Sequence, residues 1–155
     1  MDSDIEQLYR TKMDADYEID AYIISMGIPN PERITDEDGW RHLRRGSALI
    51  SIGTAVLDSS VALIAHCKIM DLPSDKDLTL PLMRELLEMN ASIPNEARFA
   101  ISDNSVIITV LKMIVDDCEN LIPLCLGTIS YFADEYDDYL IEKYGGTSRS
   151  RASIR

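Results

Sequence analysis

Two pairs of apolar, alternating segments, each joined by a short polar turn, constrain this chain more than any other feature. Residues 47–57 (SALISIGTAVL) and 61–72 (VALIAHCKIMDL) flank Asp58-Ser59-Ser60, while 97–101 (ARFAI) and 105–115 (SVIITVLKMIV) flank Ser102-Asp103-Asn104. Runs rich in β-branched residues around an Asp/Ser/Asn turn predict antiparallel hairpins, with Asn104 suited to a positive φ. In 61–72, Val61, Leu63, Ala65, Cys67 and Ile69 share one face, and Ala62, Ile64, His66, Lys68 and Met70 share the other. The first set is apolar and is expected to meet a core. The second is half polar and is expected to be partly wet. Segment 47–57 is apolar on both faces, with Ala48, Ile50, Ile52 and Val56 against Leu49, Ala55 and Leu57. That pattern belongs to a central or covered strand.

Helical periodicity fills the remaining length. Residues 2–26 carry Ile5, Tyr9, Met13, Tyr17, Ala21 and Ile24 at steps of three or four, with Ser3 and Glu6 spaced as a capping box. A narrow apolar stripe on an acidic helix predicts a helix laid on a surface, packing on the core or on a partner subunit. Residues 27–46 read as a linker broken by Pro29, Pro31, Gly39 and Gly46. It ends in Arg41, Arg44 and Arg45, a basic cluster expected to pair with acids of the last helix, or between subunits. This end is a candidate short strand with Trp40, His42 and Arg44 on one face. Residues 79–91 predict a helix capped by Thr79, with Pro81 in its first turn and Met83, Leu86 and Leu87 facing inward. Asp116, Asp117, Glu119 and Asn120 are expected to open the last helix. Its stripe runs through Leu121, Cys125, Ile129, Phe132, Tyr136 and Leu140 to a stop at Gly145-Gly146. The order α-β-β(-β)-α-β-β-α predicts an α+β fold, an antiparallel sheet with helices packed on it. One domain is expected over 1–146, followed by a disordered Ser/Arg-rich tail, 147–155 (TSRSRASIR).

Composition removes whole classes of function. Among 155 residues, 27 acids face 15 Lys and Arg for a net charge of −12, which argues against nucleic acid and anionic membrane surfaces as partners. No apolar run reaches the ~18 residues a membrane span needs, and the opening MDSDIEQLYR is no secretory signal. Cys67, Cys118 and Cys125 are odd in number and lack C-x-x-C spacing, so free thiols and a cytoplasmic location are expected. No metal is expected: His66 and Cys67 point to opposite strand faces, and Cys118 and Cys125 lie two helical turns apart, about 10 Å. Cys67 with His42 or His66 is the one Cys/His pairing available, and a thiol on an apolar strand face is inert. Asp134, Asp137 and Asp138 share a helix face but lie outside any EF-hand spacing. Phosphate-binding glycine loops and nucleophile elbows are missing too. No catalytic residue and no cofactor is therefore assigned, and an enzyme is not expected.

Several segments carry a family resemblance: Gly39-Trp40-Arg41 with Arg45-Gly46-Ser47-Ala48; Met70-Asp71-Leu72-Pro73; Leu86-Leu87-Glu88-Met89-Asn90; Ala97-Arg98-Phe99-Ala100-Ile101; and Ala133-Asp134-Glu135-Tyr136-Asp137-Asp138 with Tyr144-Gly145-Gly146. Over about residues 38–146 the chain resembles the YbjN-like family within the type III secretion chaperone-like fold. The resemblance implies a small acidic homodimer that binds segments of a partner protein. It implies a dimer built on the middle helix and a neighbouring strand, with partner chains wrapping the first helix and the sheet. The expected function is a non-catalytic protein-binding module, with Ile50, Ile52, Ile64, Met70, Met83 and Leu87 as candidate partner or dimer contacts. The alternative is a small-ligand-binding or regulatory sensor domain, for which seven methionines offer adaptable surface.

Overall fold

Both hairpins form and join into one sheet. The structure, a computed structural model describing residues 2–145, has strands β1 (Arg41–Arg45), β2 (Ala48–Leu57), β3 (Ser60–Asp71), β4 (Arg98–Ser102) and β5 (Ser105–Ile114). Their spatial order is β1-β2-β3-β5-β4, and every neighbouring pair is antiparallel. Three helices complete the α+β architecture: α1 (Asp2–Ser25), α2 (Lys76–Ser92) and α3 (Leu121–Tyr144). A short 3-10 helix, Pro31–Ile34, lies in the linker. The expected tail, 147–155, lies outside the described residues.

The register assigns the two sheet faces. Leu43, Ile50, Cys67, Ile108 and Phe99 stand opposite one another across the five strands, beside the row Arg41, Ile52, Ala65 and Val110. This face meets α1 and α3. Ile19 and Ile23 of α1 and Ile122, Leu126 and Ile129 of α3 are fully buried together with Ile50, Ile52, Leu63 and Ile108. Removing each such side chain from water stabilises the fold by about 1.5–3 kcal/mol. Helix α2 sits at the β4 edge beside α3. Among the described residues no helix covers the opposite face, and Leu111 and Met113 on it are each 42% exposed.

Several expected boundaries move, each for a local reason. The turns have two residues rather than three, so positive φ falls on the first of each pair, Asp58 and Asp103, and not on Asn104. Aspartate tolerates this conformation through its short polar side chain. Helix α2 starts three residues earlier than Thr79 because the Asp75 carboxylate caps it, accepting from Asp77 N at 2.9 Å. Pro81 then lies inside the helix. The acids 116, 117 and 119 precede α3 instead of opening it. Its first amides, Leu121 N and Ile122 N, donate to the Cys118 carbonyl. Helix α1 begins at Asp2, which places Ser3 inside it and not at its cap. At the other end of α3, Gly145 takes φ 68° and its N–H closes on Ile141 O at 2.8 Å. Only glycine adopts that left-handed cap without strain.

Edge strand β4 needs partners for backbone groups that face away from β5. Asn90 of α2 supplies them: its Nδ2 donates to Phe99 O at 3.0 Å, and its Oδ1 accepts from Phe99 N at 2.7 Å. The side chain thereby mimics a neighbouring strand, closes this part of the edge to pairing and ties α2 to the sheet. Replacing Asn90 by alanine leaves both backbone groups without protein partners. The expected cost is about 2 kcal/mol in denaturant unfolding; an unchanged midpoint would contradict the tie.

Candidate functional site

Helix α1 is apolar on two sides, and only one of them is packed. Leu8, Ala15, Ile19, Tyr22 and Ile23 face the sheet. The stripe the periodicity singles out, Ile5, Tyr9, Met13, Tyr17 and Ile24, faces away, and Tyr17 is 75% exposed. A salt-bridge cluster sets the rotation. Arg41 of β1 points to the helix-covered face with 7% of its side chain exposed. Its Nε donates to Asp20 at 2.8 Å and its Nη1 to Asp16 at 3.0 Å. Asp16 also accepts from Lys12 Nζ at 2.7 Å and Thr54 Oγ1 at 2.8 Å. Arg41 thus pairs with the first helix, not the last as expected. Burial disfavours its charged form, but the two aspartates outweigh that and raise its pKa.

The candidate contacts separate by burial. Ile50, Ile52 and Met70 are fully buried in the core, out of reach of any surface partner. For Met70 the reason is a β-bulge between Lys68 and Met70, which breaks the alternation that would have set it beside His66. Ile64 stays on the uncovered sheet face. Met83 is half-buried on α2, and Leu87, expected to face inward, is instead 70% exposed beside Leu80 at 75%, because Leu82 and Leu86 form the buried side of the helix. Leu80, Met83 and Leu87 form an outward row on α2, fixed to α3 through Glu85, whose carboxylate accepts from Tyr139 and Tyr144 and pairs with Lys143 at 2.8 Å. Partial burial opposes the ionised form of Glu85, but these donors prevail and lower its pKa.

A Ser/His/Asp arrangement lies on the uncovered face. His42 Nδ1 is 2.7 Å from Ser51 Oγ, and Nε2 is 2.7 Å from Asp36 Oδ2. It lines a groove of about 680 Å³ together with Trp40, Ile64, His66 and Ile107. Ser51 is buried in the middle of β2. The arrangement pins loop residue Asp36 to the sheet, and its hydrogen bonds from His42 and Trp40 N lower the Asp36 pKa. Trp40 lies flat over Gly53, where a Cβ would come within 3.0 Å of the ring, and meets His66 edge-on at 5.0 Å. Burial, then the His42 charge, lowers the His66 pKa below 6.5. The folded protein therefore resists protonating His66 more than the unfolded chain does. Its contribution to stability is whole above pH 6.5 and is lost as pH falls through the lower folded pKa. Titration of the His66 ring by NMR should show a midpoint below 6.5; one at or above it would contradict this burial.

The thiols are unsuited to chemistry. Burial, with nearby carboxylates, pushes Cys67 and Cys118 up to about 12, and burial alone is the main cause that raises Cys125 to about 11. All three should resist a thiol reagent at pH 8 in the folded protein and react on unfolding; fast native labelling would contradict their placement. Among the described residues, no group of three or more His, Cys, Asp or Glu is placed to hold a metal ion, and no helix is long and apolar enough to cross a membrane.

The arrangement of five strands and three helices has a solved counterpart. The crystal structure of the ExsC-ExsE complex contains a chain that superimposes with a TM-score of 0.63, covering 83% of this chain and 95% of that one at 12% identity. The fold is that of the type III secretion chaperones. No family model and no curated protein matches the sequence. At this identity the likeness concerns the fold. What the secretion-chaperone fold here exposes is the outer stripe of α1, the leucine row of α2 and one whole sheet face. The α1 rotation was hidden in the sequence, because the packed side mixes small and charged residues while the outer side holds the large ones. A signal was present nonetheless: Ala15, Ile19 and Ile23 also step by four.

Proposed function

We propose that this protein is a non-catalytic, chaperone-like binding module that works as a homodimer and holds segments of a partner protein. The observation that carries the reading is α1, clamped to the sheet by Arg41 while Tyr9, Met13, Tyr17 and Ile24 face outward. Large apolar side chains in a row on a fixed helix mark an interaction surface. The ExsC-ExsE complex, in which a chain of this fold was solved together with a second protein, supports the reading, as do the segments that resemble YbjN-like proteins. Leu80, Met83 and Leu87 on α2 supply the dimer contact, in keeping with the middle helix as the dimer element of that fold. Acidic surface keeps such a dimer soluble.

Light scattering tests the assembly. The expected mass is twice 17.4 kDa at micromolar concentration, and a strict monomer would overturn the dimer. The groove beneath Trp40 favours a second reading, since about 680 Å³ lies within the range of small-molecule sites. A thermal shift with a metabolite, in the absence of any protein partner, would support that reading.

A further inference from the structure

Strands β2 and β3 separate before either ends. Their last paired residues are Ile50 and Cys67. Beyond them β2 continues to Ala48 beside β1 only, and β3 continues to Asp71 beside β5 only, bulged between Lys68 and Met70. The groove beneath Trp40 runs into the gap this leaves. Leu49 and Ile69 form its walls, Ala133 and Asp137 of α3 reach it from the helix-covered side, and Asp103 lines it from the β4–β5 turn. Lys68 is the one Lys or Arg among the described residues that line the groove, and it is paired with Asp71. His42 faces Asp36. Asp134 adds another carboxylate at the rim, accepting from Ser47 Oγ at 3.2 Å. This end of the groove is therefore acidic. The field reaches its wall: burial first, and then the charge of Asp137, push the Cys67 thiol up to about 12.

The chain carries its own counter-charge. Residues 146–155 (GTSRSRASIR), outside the described part, hold Arg149, Arg151 and Arg155 and no acid. They follow Gly145, whose φ of 68° turns the backbone off the axis of α3. Asp137 lies eight residues before Gly145, about 12 Å back along the helix. Four extended residues beyond Gly145 cover about 13 Å, enough to bring Arg149 level with Asp137. We propose that segment 146–155 folds back along α3 and docks in this gap in cis, Arg149 and Arg151 pairing with Asp137, Asp134 and Asp103, and Ile154 entering the apolar part of the groove. The contact goes beyond the protein-binding reading. It is a cover built into the chain, and any ligand or partner of this groove has to displace it. Ion pairs that are individually weak at a surface act together here because the tether holds the segment at high effective concentration.

The three native thiols are buried, so a nitroxide on Ser150→Cys marks the segment alone in the full-length chain. Its paramagnetic broadening is read in the NMR spectrum of the isotope-labelled protein at low salt. The amide signals of Leu49, Ile69 and Asn104 are expected to lose at least half of their intensity, while Ser59 and Val115, at the opposite end of the sheet, keep theirs. The contrast should shrink severalfold at 300 mM salt. It should vanish when Arg149→Glu and Arg151→Glu are combined, and again with Asp103→Asn and Asp137→Asn together, whereas Arg149→Lys with Arg151→Lys keeps it. Broadening spread evenly over the surface, or centred on Tyr17 of α1, overturns the docking site. Broadening that persists in full in the paired glutamate variant overturns the charge pairing. Spin-labelled chains without isotope are also mixed with isotope-labelled chains without the nitroxide. Broadening in that mixture as strong as in the single sample assigns the segment to the groove of a second copy and overturns the cis contact.

Discussion

Replacing Arg41 by alanine should destabilise the protein by about 3 kcal/mol in urea unfolding, the range for removing one partner of a buried charge cluster. The guanidinium makes five hydrogen bonds from a side chain that is 7% exposed: to Asp20 through Nε and Nη2, to the Asp16 carboxylate and carbonyl, and to Gly39 O. Without it Asp16 and Asp20 face each other across one turn of α1, with Lys12 and Thr54 left to Asp16 alone. The effect should fall on helix α1 first, since this cluster joins it to β1. Lysine at the same position keeps the charge but loses the planar fork, so Arg41→Lys should recover less than half of the loss. Arg44→Ala, three positions along the same strand, on the other face and exposed, should cost about 0.5 kcal/mol or less. Equal costs at Arg41 and Arg44 would contradict the clamp.

If the proposed dimer forms through α2, glutamate at both Leu80 and Leu87 should convert it to a 17.4 kDa monomer without changing the circular dichroism spectrum. Both leucines are largely exposed on one protomer, at 75% and 70%, so the monomer fold does not depend on them. In a two-fold interface each substitution occurs twice. Each loses about 2 kcal/mol of apolar burial and brings a carboxylate that must be desolvated, so a dissociation constant at least a thousandfold weaker is expected. A dimer that persists in the double variant would move the interface off α2. Glu85, on the inner side of the same helix, gives a contrasting outcome. Glu85→Gln loses the Lys143 ion pair and should loosen α2 in hydrogen exchange while leaving the dimer mass in place. Because Glu85 is held below its ordinary pKa, its contribution is present above pH 4.5 and disappears as pH falls through the lower folded value.

The sheet was legible because its pattern is local. Alternation with period two, short polar turns and β-branched runs fix each hairpin from residues adjacent in sequence. Cys67 and Ile64 fall on the faces their positions imply. What resisted reading was set by distant partners. Arg41 meets Asp16 and Asp20, 25 and 21 residues away, and that pairing decides which side of α1 is buried. The inward face holds Lys12 and Asp16 beside Ala15, so it looks polar until Thr54 and Arg41 are in place. The outward stripe looks like the core because its residues are large. At Met70 a bulge reversed the face, and no turn residue or glycine announces it. The two-sided apolar character of β2 already marks Ile50 and Ile52 as core, and both are fully buried. Of the candidate contacts, Ile64, Met83 and Leu87 remain accessible; Ile64 lines the groove beneath Trp40, and Met83 and Leu87 belong to the α2 row proposed as the dimer contact.

Holding a partner protein is the role proposed for the outward stripe of α1. The most direct measurement places a photocrosslinking amino acid at Tyr17 in the native cell, with a second variant carrying it at exposed Asp117. The Tyr17 probe is expected to join the protein to one discrete segment of one partner at close to one per subunit, and the Asp117 probe is expected not to. No adduct at Tyr17, or the same products from both positions, would contradict it.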